Sequence, residues 1–186
     1  EKVWMNPQTH LFAEIGLNRY FDEGSGRPKE TEPGHFKLEI GKYAKQKNLS
    51  AEEYEQRYDA GEIVEPELDR YFVHDRAMRE SGHDTTARLD DLCADLACVD
   101  LNAVLYDVEL KISSLIDDYF PQGLRHNGRE YSGSEWYEKA QTRYDLVQEY
   151  LWNEEAGCFY DYNVRRGQAQ IFDSATNLYP LWAGLC

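Results

Sequence analysis

From Asp95 to Tyr119, apolar side chains return every three or four residues: Ala97, Leu101, Val104, Leu105, Val108, Ile112, Leu115, Ile116 and Tyr119. That spacing predicts one long helix, and Pro121 ends it because its ring forbids continuation. A second long helix is expected from Ser134, as cap, to Trp152, with Trp136, Ala140, Tyr144, Val147, Tyr150 and Leu151 as its apolar stripe. Two long helices joined by a short link must pack on each other, which limits the fold to helix-on-helix architectures.

The rest of the chain fits that limit. His35 to Asn48 carries Phe36, Leu38, Ile40 and Tyr43 at helix-compatible positions. Ser50, with Glu53 three residues on, announces a second short helix running to about Ala60 and ending at Gly61. Pro66 opens a third in the favoured first-turn position, through Leu68, Tyr71, Phe72 and His74 toward Arg79. CFYDYNV and QAQIF read as short strands around Arg165-Arg166-Gly167, a small β excursion near 158–172. A last helix follows Asp173 or Ser174. The expected class is all-α, a stack of helical hairpins closed as an α/α toroid or open as a solenoid.

The length of 186 residues suits one domain or a large piece of one. The first residues, EKVWMNPQTH, and the last, SATNLYPLWAGLC, read as mid-sequence, so residues 1–186 are expected to be a partial domain truncated at both ends, a partial toroid if the hairpins close. A net charge of −15 argues against a nucleic-acid backbone or an anionic membrane as partner. No apolar run is long enough to span a bilayer, and no signal-peptide pattern opens the chain. Cys93 and Cys98, five apart at the entry of one helix, have side chains that diverge too far to bridge, and the cysteines show neither CxxC nor zinc spacing. Reduced thiols and a cytoplasmic setting are expected.

Chemistry concentrates in HDRAMRESGHDTTARLDDLCADLACVDLN, from His74 to Asn102. Arg79, Glu80, His83 and Asp84 surround Ser81-Gly82, and the glycine places them at a helix end or loop. Asp84 could act as a general acid if burial or a neighbouring carboxylate raised its pKa, or it could cap the turn at Thr86 or Ala87. Arg79 could hold a ligand with its planar fork or pair with Asp75 four residues earlier. His74, Glu80, His83 and Asp84 lack the spacing of a known metal motif, so no metal and no cofactor is expected. Asp90, Asp91 and Asp95 are expected to cap the long helix. YFDEGSGRPKETEPGHF, from Tyr20 to Phe36, is a Gly/Pro-rich loop too long for a plain connection and without phosphate-loop spacing.

RESGHDTTARLDDLCADLACVDLNAVLYDVE closely resembles the central region of trehalases, in the branch that includes the fungal neutral enzymes and has ESGHDTT where others have ESGWD. VWM, GSGRPKETEPGHF, EPELDRYFVHDRAMRESGHD, LWNEEAGCFYDYN and SATNLYPLWAG resemble trehalase segments in the expected order. The resemblance implies an (α/α)6 toroid that hydrolyses α,α-trehalose to two glucoses with inversion. It implies Asp84 as the general acid, Arg79 and the backbone at Gly82 as sugar contacts, and Glu30 as a ligand of substrate hydroxyls. Arg27 departs from the family spacing, because RPE reads here as RPKE. The N-terminal and C-terminal family signatures and the glutamate general base do not occur in these residues. The alternative is a catalytically silent trehalase-like toroid that binds a sugar or a protein.

Overall fold

A computed structural model describes residues 2–83 and 86–186. They form two compact units, residues 21–94 and residues 1–20 with 95–186. Among the described residues, no helix is long and apolar enough to cross a membrane.

The 21–94 unit starts with an irregular loop and continues as helices α1 (Lys37–Gln46), α2 (Ala51–Asp59) and α3 (Pro66–Ser81). Ser50 caps α2 by accepting the Glu53 N–H at 3.1 Å, as its spacing predicts, and Pro66 opens α3 in the first turn. Phe36, Ile40, Ala44, Tyr54, Tyr58, Leu68 and Phe72 build the core. Phe36 and Phe72 meet edge to face, ring centres 5.0 Å apart. Leu38, counted above in the apolar stripe of α1, is 90% exposed, because Ile40 and Ala44 define the buried side of so short a helix.

Three tyrosines make this core sensitive to alkali. Burial, reinforced by the Glu65 carboxylate, pushes the Tyr54 phenol up to about 12. Burial with Asp75 nearby does the same for Tyr71, and burial with the Asp69 hydrogen bond raises Tyr58 further. A phenol whose folded pKa exceeds its unfolded value of about 10 stabilises the fold fully below that pH and ceases to do so as pH climbs through the folded value. Stability should therefore show no tyrosine-linked change through neutral pH and fall between pH ~10 and ~12. Denaturant midpoints measured across that range would check it; midpoints that stay level from pH ~10 to pH ~12 would refute it.

The second unit pairs β1 (Leu11–Phe12) with β2 (Leu17–Asn18), then resumes at β3 (Leu96–Ala97). Helix α4 (Val99–Tyr119) and α5 (Gly133–Tyr150) pack together and are joined through the hairpin β4 (Leu124–His126) and β5 (Arg129–Tyr131). Strand β6 (Trp152–Asn153) pairs with β7 (Cys158–Phe159); β8 (Asp161–Asn163) lies between β3 and β9 (Gln168–Gln170). A 3-10 turn at Ala175–Leu178, capped by Ser174, leads into α6 (Tyr179–Ala183). The β excursion thus falls where the sequence placed it.

Four local expectations need correction. The long helix begins at Val99, because Leu96 and Ala97 pair with Asn163 and Tyr162 as strand. The Val99 N–H at its start donates to Asp161 Oδ1 at 2.8 Å, with Asp100 in the first turn, so the cap comes from Asp161 where Asp90, Asp91 and Asp95 were expected. The cap of α5 is Ser132, which accepts the Glu135 N–H at 3.2 Å, rather than Ser134. The face of α4 turned inward includes Asn102, Glu109, Ser113 and Ile116, while Val108, Leu115 and Tyr119 are exposed. The physical reason is a buried polar network. Arg143 on α5 forks onto both Glu109 carboxylate oxygens at 2.9 Å and reaches Asn18 Oδ1 at 2.8 Å and Asn102 Oδ1 at 2.9 Å.

Candidate active site

Helix α3 is the scaffold of the site. It ends in Gly82, whose φ of +70° puts it in the left-handed region that glycine enters without strain. Among the described residues, apart from its chain neighbours, no atom lies within 4 Å of where a Cβ at Gly82 would point, so it is the turn that calls for the glycine. The last turns of α3 carry Arg76, Arg79 and Glu80, three and four residues apart and hence on neighbouring lines of one face.

These side chains and the preceding loop line one open pocket of about 580 Å³, which also holds Arg27, Lys29 and Glu30. That volume falls in the range of small-molecule sites. Glu30 is exposed there and has no hydrogen bond or ion pair among the described residues. Arg79 shows both features weighed for it above. Its Nε donates to Asp75 Oδ2 at 2.8 Å, the i−4 pair, while Nη2 lies 3.1 Å from His35 Nε2 and the side chain still lines the pocket. The buried Asp75 carboxylate therefore aims the guanidinium rather than removing it from the site.

Arg27 is held by α2 instead, its Nη2 2.6 Å from Asp59 Oδ2 and its Nε 3.1 Å from Glu55 Oε1. Glu80 Oε2 accepts the Phe21 N–H at 2.6 Å, supporting the loop. The His83 N–H donates to Ser81 Oγ at 3.0 Å. His74 is a buried core histidine whose Nδ1 accepts the Ala94 N–H at 3.2 Å. Asp84 lies outside the described residues. The pocket thus brings together Glu30 and Arg79; Gly82 ends the helix that carries Arg79.

Sequence reasoning overlooked Arg76, a buried arginine whose Nη1 donates to the Gly26 carbonyl and whose Nε sits 3.0 Å from Asp22 Oδ1. Nothing local to α3 in the sequence signals that burial, which comes from the preceding loop. In the other unit, Cys98, Asp100 and Asp161 lie together, buried, with ligand-type atoms within 4.8 Å of one another. Asp161 there caps α4 and all three have further partners, so their arrangement has a structural explanation. The cysteines are free thiols, with Cys93 and Cys98 buried and Cys186 exposed.

The family model described as Trehalase matches residues 1–186. The chain belongs to the trehalase family. Among trehalase relatives it is 44% identical to a protein named probable trehalase from Eremothecium gossypii, over all of this chain and 25% of that protein. It is 41% identical to the cytosolic neutral trehalase of Kluyveromyces lactis, over 98% of this chain and 24% of that one. The solved structure of neutral trehalase Nth1 from Saccharomyces cerevisiae superposes with a TM-score of 0.88 at 39% identity, covering 95% of this chain and 32% of that one. The chain spans about a quarter of the length of the first two relatives. It shares the all-α toroid fold class of the Nth1 structure, with a few small strand hairpins beside its helices.

Proposed function

We propose that the protein carrying this chain hydrolyses α,α-trehalose to two glucose molecules with inversion of configuration, in the cytosol and without a cofactor. The observation that carries the reading is a carboxylate without a partner among the described residues, Glu30, sharing one pocket with the oriented Arg79, in a chain matched end to end by the trehalase family. The names of the relatives, trehalase and cytosolic neutral trehalase, support the substrate and the compartment.

In this mechanism Asp84 protonates the glycosidic oxygen as the bond breaks through an oxocarbenium-like state. Glu30 accepts from sugar hydroxyls, and Arg79 and the backbone at Gly82 contact the same sugar. The Asp75 partner matters here. It offsets the guanidinium charge, so Arg79 can donate to hydroxyls without adding net positive charge beside a cationic transition state. The general base lies outside these 186 residues, about 6.5–9.5 Å from the acid, where an attacking water fits between it and the anomeric carbon.

Two measurements test the proposal. Fresh products followed by proton NMR should contain one α- and one β-glucose per trehalose, because only the attacked carbon inverts. Two α-glucoses would refute inversion, and no glucose would refute the activity. The isolated 186-residue chain should release none, lacking the base; robust turnover by it would remove that part of the mechanism.

A further inference from the structure

We propose that Arg76 is a positioning residue that clasps the 21–30 loop onto α3 and thereby sets where Glu30 stands relative to Arg79; the proposal rests on the trehalose-hydrolysing reading of the same pocket. Arginine is rarely buried without a purpose for its charge, yet Arg76 is 7% exposed. Its guanidinium grips the loop at two points, the Gly26 carbonyl and the Asp22 carboxylate. The Nε–H is off line from Asp22 Oδ1 despite the 3.0 Å separation, so that contact is charge attraction more than hydrogen bond.

The loop also fits the side chain closely. Asp22 Oδ1 accepts the Gly24 N–H at 2.8 Å, folding the loop over the guanidinium. A Cβ on Gly24 would stand 2.6 Å from Asp22 Oδ1 and 3.2 Å from Arg76 Cδ and Nε. One turn along α3, Glu80 takes the Phe21 N–H, and residues four apart share a helix face. Downstream, Pro28 is buried and its carbonyl accepts the Thr31 hydroxyl at 2.8 Å, stiffening the turn that carries Glu30. Among the described residues Glu30 has no hydrogen bond or ion pair of its own to fix it. Its place is inherited from the clasp.

The test uses the longest natural protein carrying this chain. Arg76→Met should lower kcat/KM for trehalose about tenfold to a hundredfold, the scale of small misplacements in a site. Arg76→Lys keeps the charge facing Asp22 but cannot also fork to Gly26, and should recover part of the loss. In a Glu30→Gln background the Arg76→Met change should cost less than about twofold, because the group it positions has already been disabled. Equal fold-losses in both backgrounds would overturn the proposal, since damage unrelated to Glu30 adds independently. Should Arg76→Met fail to fold, Asp22→Asn and Gly24→Ala disturb the clasp from the loop side and carry the same expectation. Hydrogen exchange at amides 21–30 should quicken in each folded variant, and unchanged protection overturns the clasp. A wild-type protein that leaves trehalose intact removes the hydrolase reading alone, because the exchange result still decides the clasp.

Discussion

Replacing Arg143 by methionine should destabilise the protein by about 3–5 kcal/mol, the cost of breaking a buried ion pair from one side. The side chain is 4% exposed and closes two parallel bonds onto Glu109, itself 6% exposed. Its removal strands that carboxylate away from water. Asn18 Oδ1 loses the arginine donor, whereas Asn102 Oδ1 still accepts the Asn18 N–H at 2.9 Å. Methionine restores much of the volume, so lost packing contributes less than the uncompensated charge. Lysine should recover little, because one ammonium cannot reproduce a fork that bonds a carboxylate and two amides together. Adding Glu109→Leu to Arg143→Met should return part of the loss, since an apolar pair leaves no buried charge. Thermal melting of the single variant should fall on the order of 10 °C. A loss below about 1 kcal/mol would show the network to be solvated and the argument wrong.

That network also explains what the sequence hid. Periodicity counts apolar residues, and on α4 it selected Val108, Leu115 and Tyr119, which are exposed. The buried Glu109 and Asn102 read as surface residues until Arg143 is known to face them, and a partner 34 residues away leaves no local trace. The cap on α4 is hidden in the same way, since Asp161 comes from a strand 62 residues later. Signals within a few residues were legible: the Ser50 cap, Pro66 at the start of α3 and Pro121 just beyond α4. One local signal was passed over. Asn127-Gly128, both at positive φ between Leu-Arg-His and Arg-Glu-Tyr, is a two-residue hairpin turn, and β4 and β5 flank it.

The candidate site divides along the same line. Motif resemblance named Glu30 and Arg79, and the loop and α3 bring them to one pocket. Arg76 escaped because a charged residue on a helix ordinarily marks a solvated face. What buries it is the loop that begins 55 residues upstream, and nothing in the spacing of α3 announces that covering.

Asp84→Asn should lower kcat for trehalose by about 10²–10⁴, the range lost with a general acid, while sugar binding changes little. The substitution separates two roles cleanly. Asparagine caps a helix or turn about as well as aspartate, so a purely structural Asp84 predicts nearly unchanged turnover. An amide cannot supply the proton that the departing glucose oxygen needs, so an acid at this position predicts the large loss. A second substrate sharpens the distinction. Fluoride leaves α-glucosyl fluoride with little need of protonation, and the variant should keep far more of its activity on that compound than on trehalose. Equal deficits on both would mean that the substitution misplaces the sugar or the attacking water rather than removing a proton donor. Normal turnover of trehalose would eliminate Asp84 as the acid altogether. Glu30→Gln provides the contrast, because a hydroxyl-binding carboxylate gives no reason for the deficit to depend on the leaving group. Dependence on the leaving group is therefore the property that assigns the proton to Asp84.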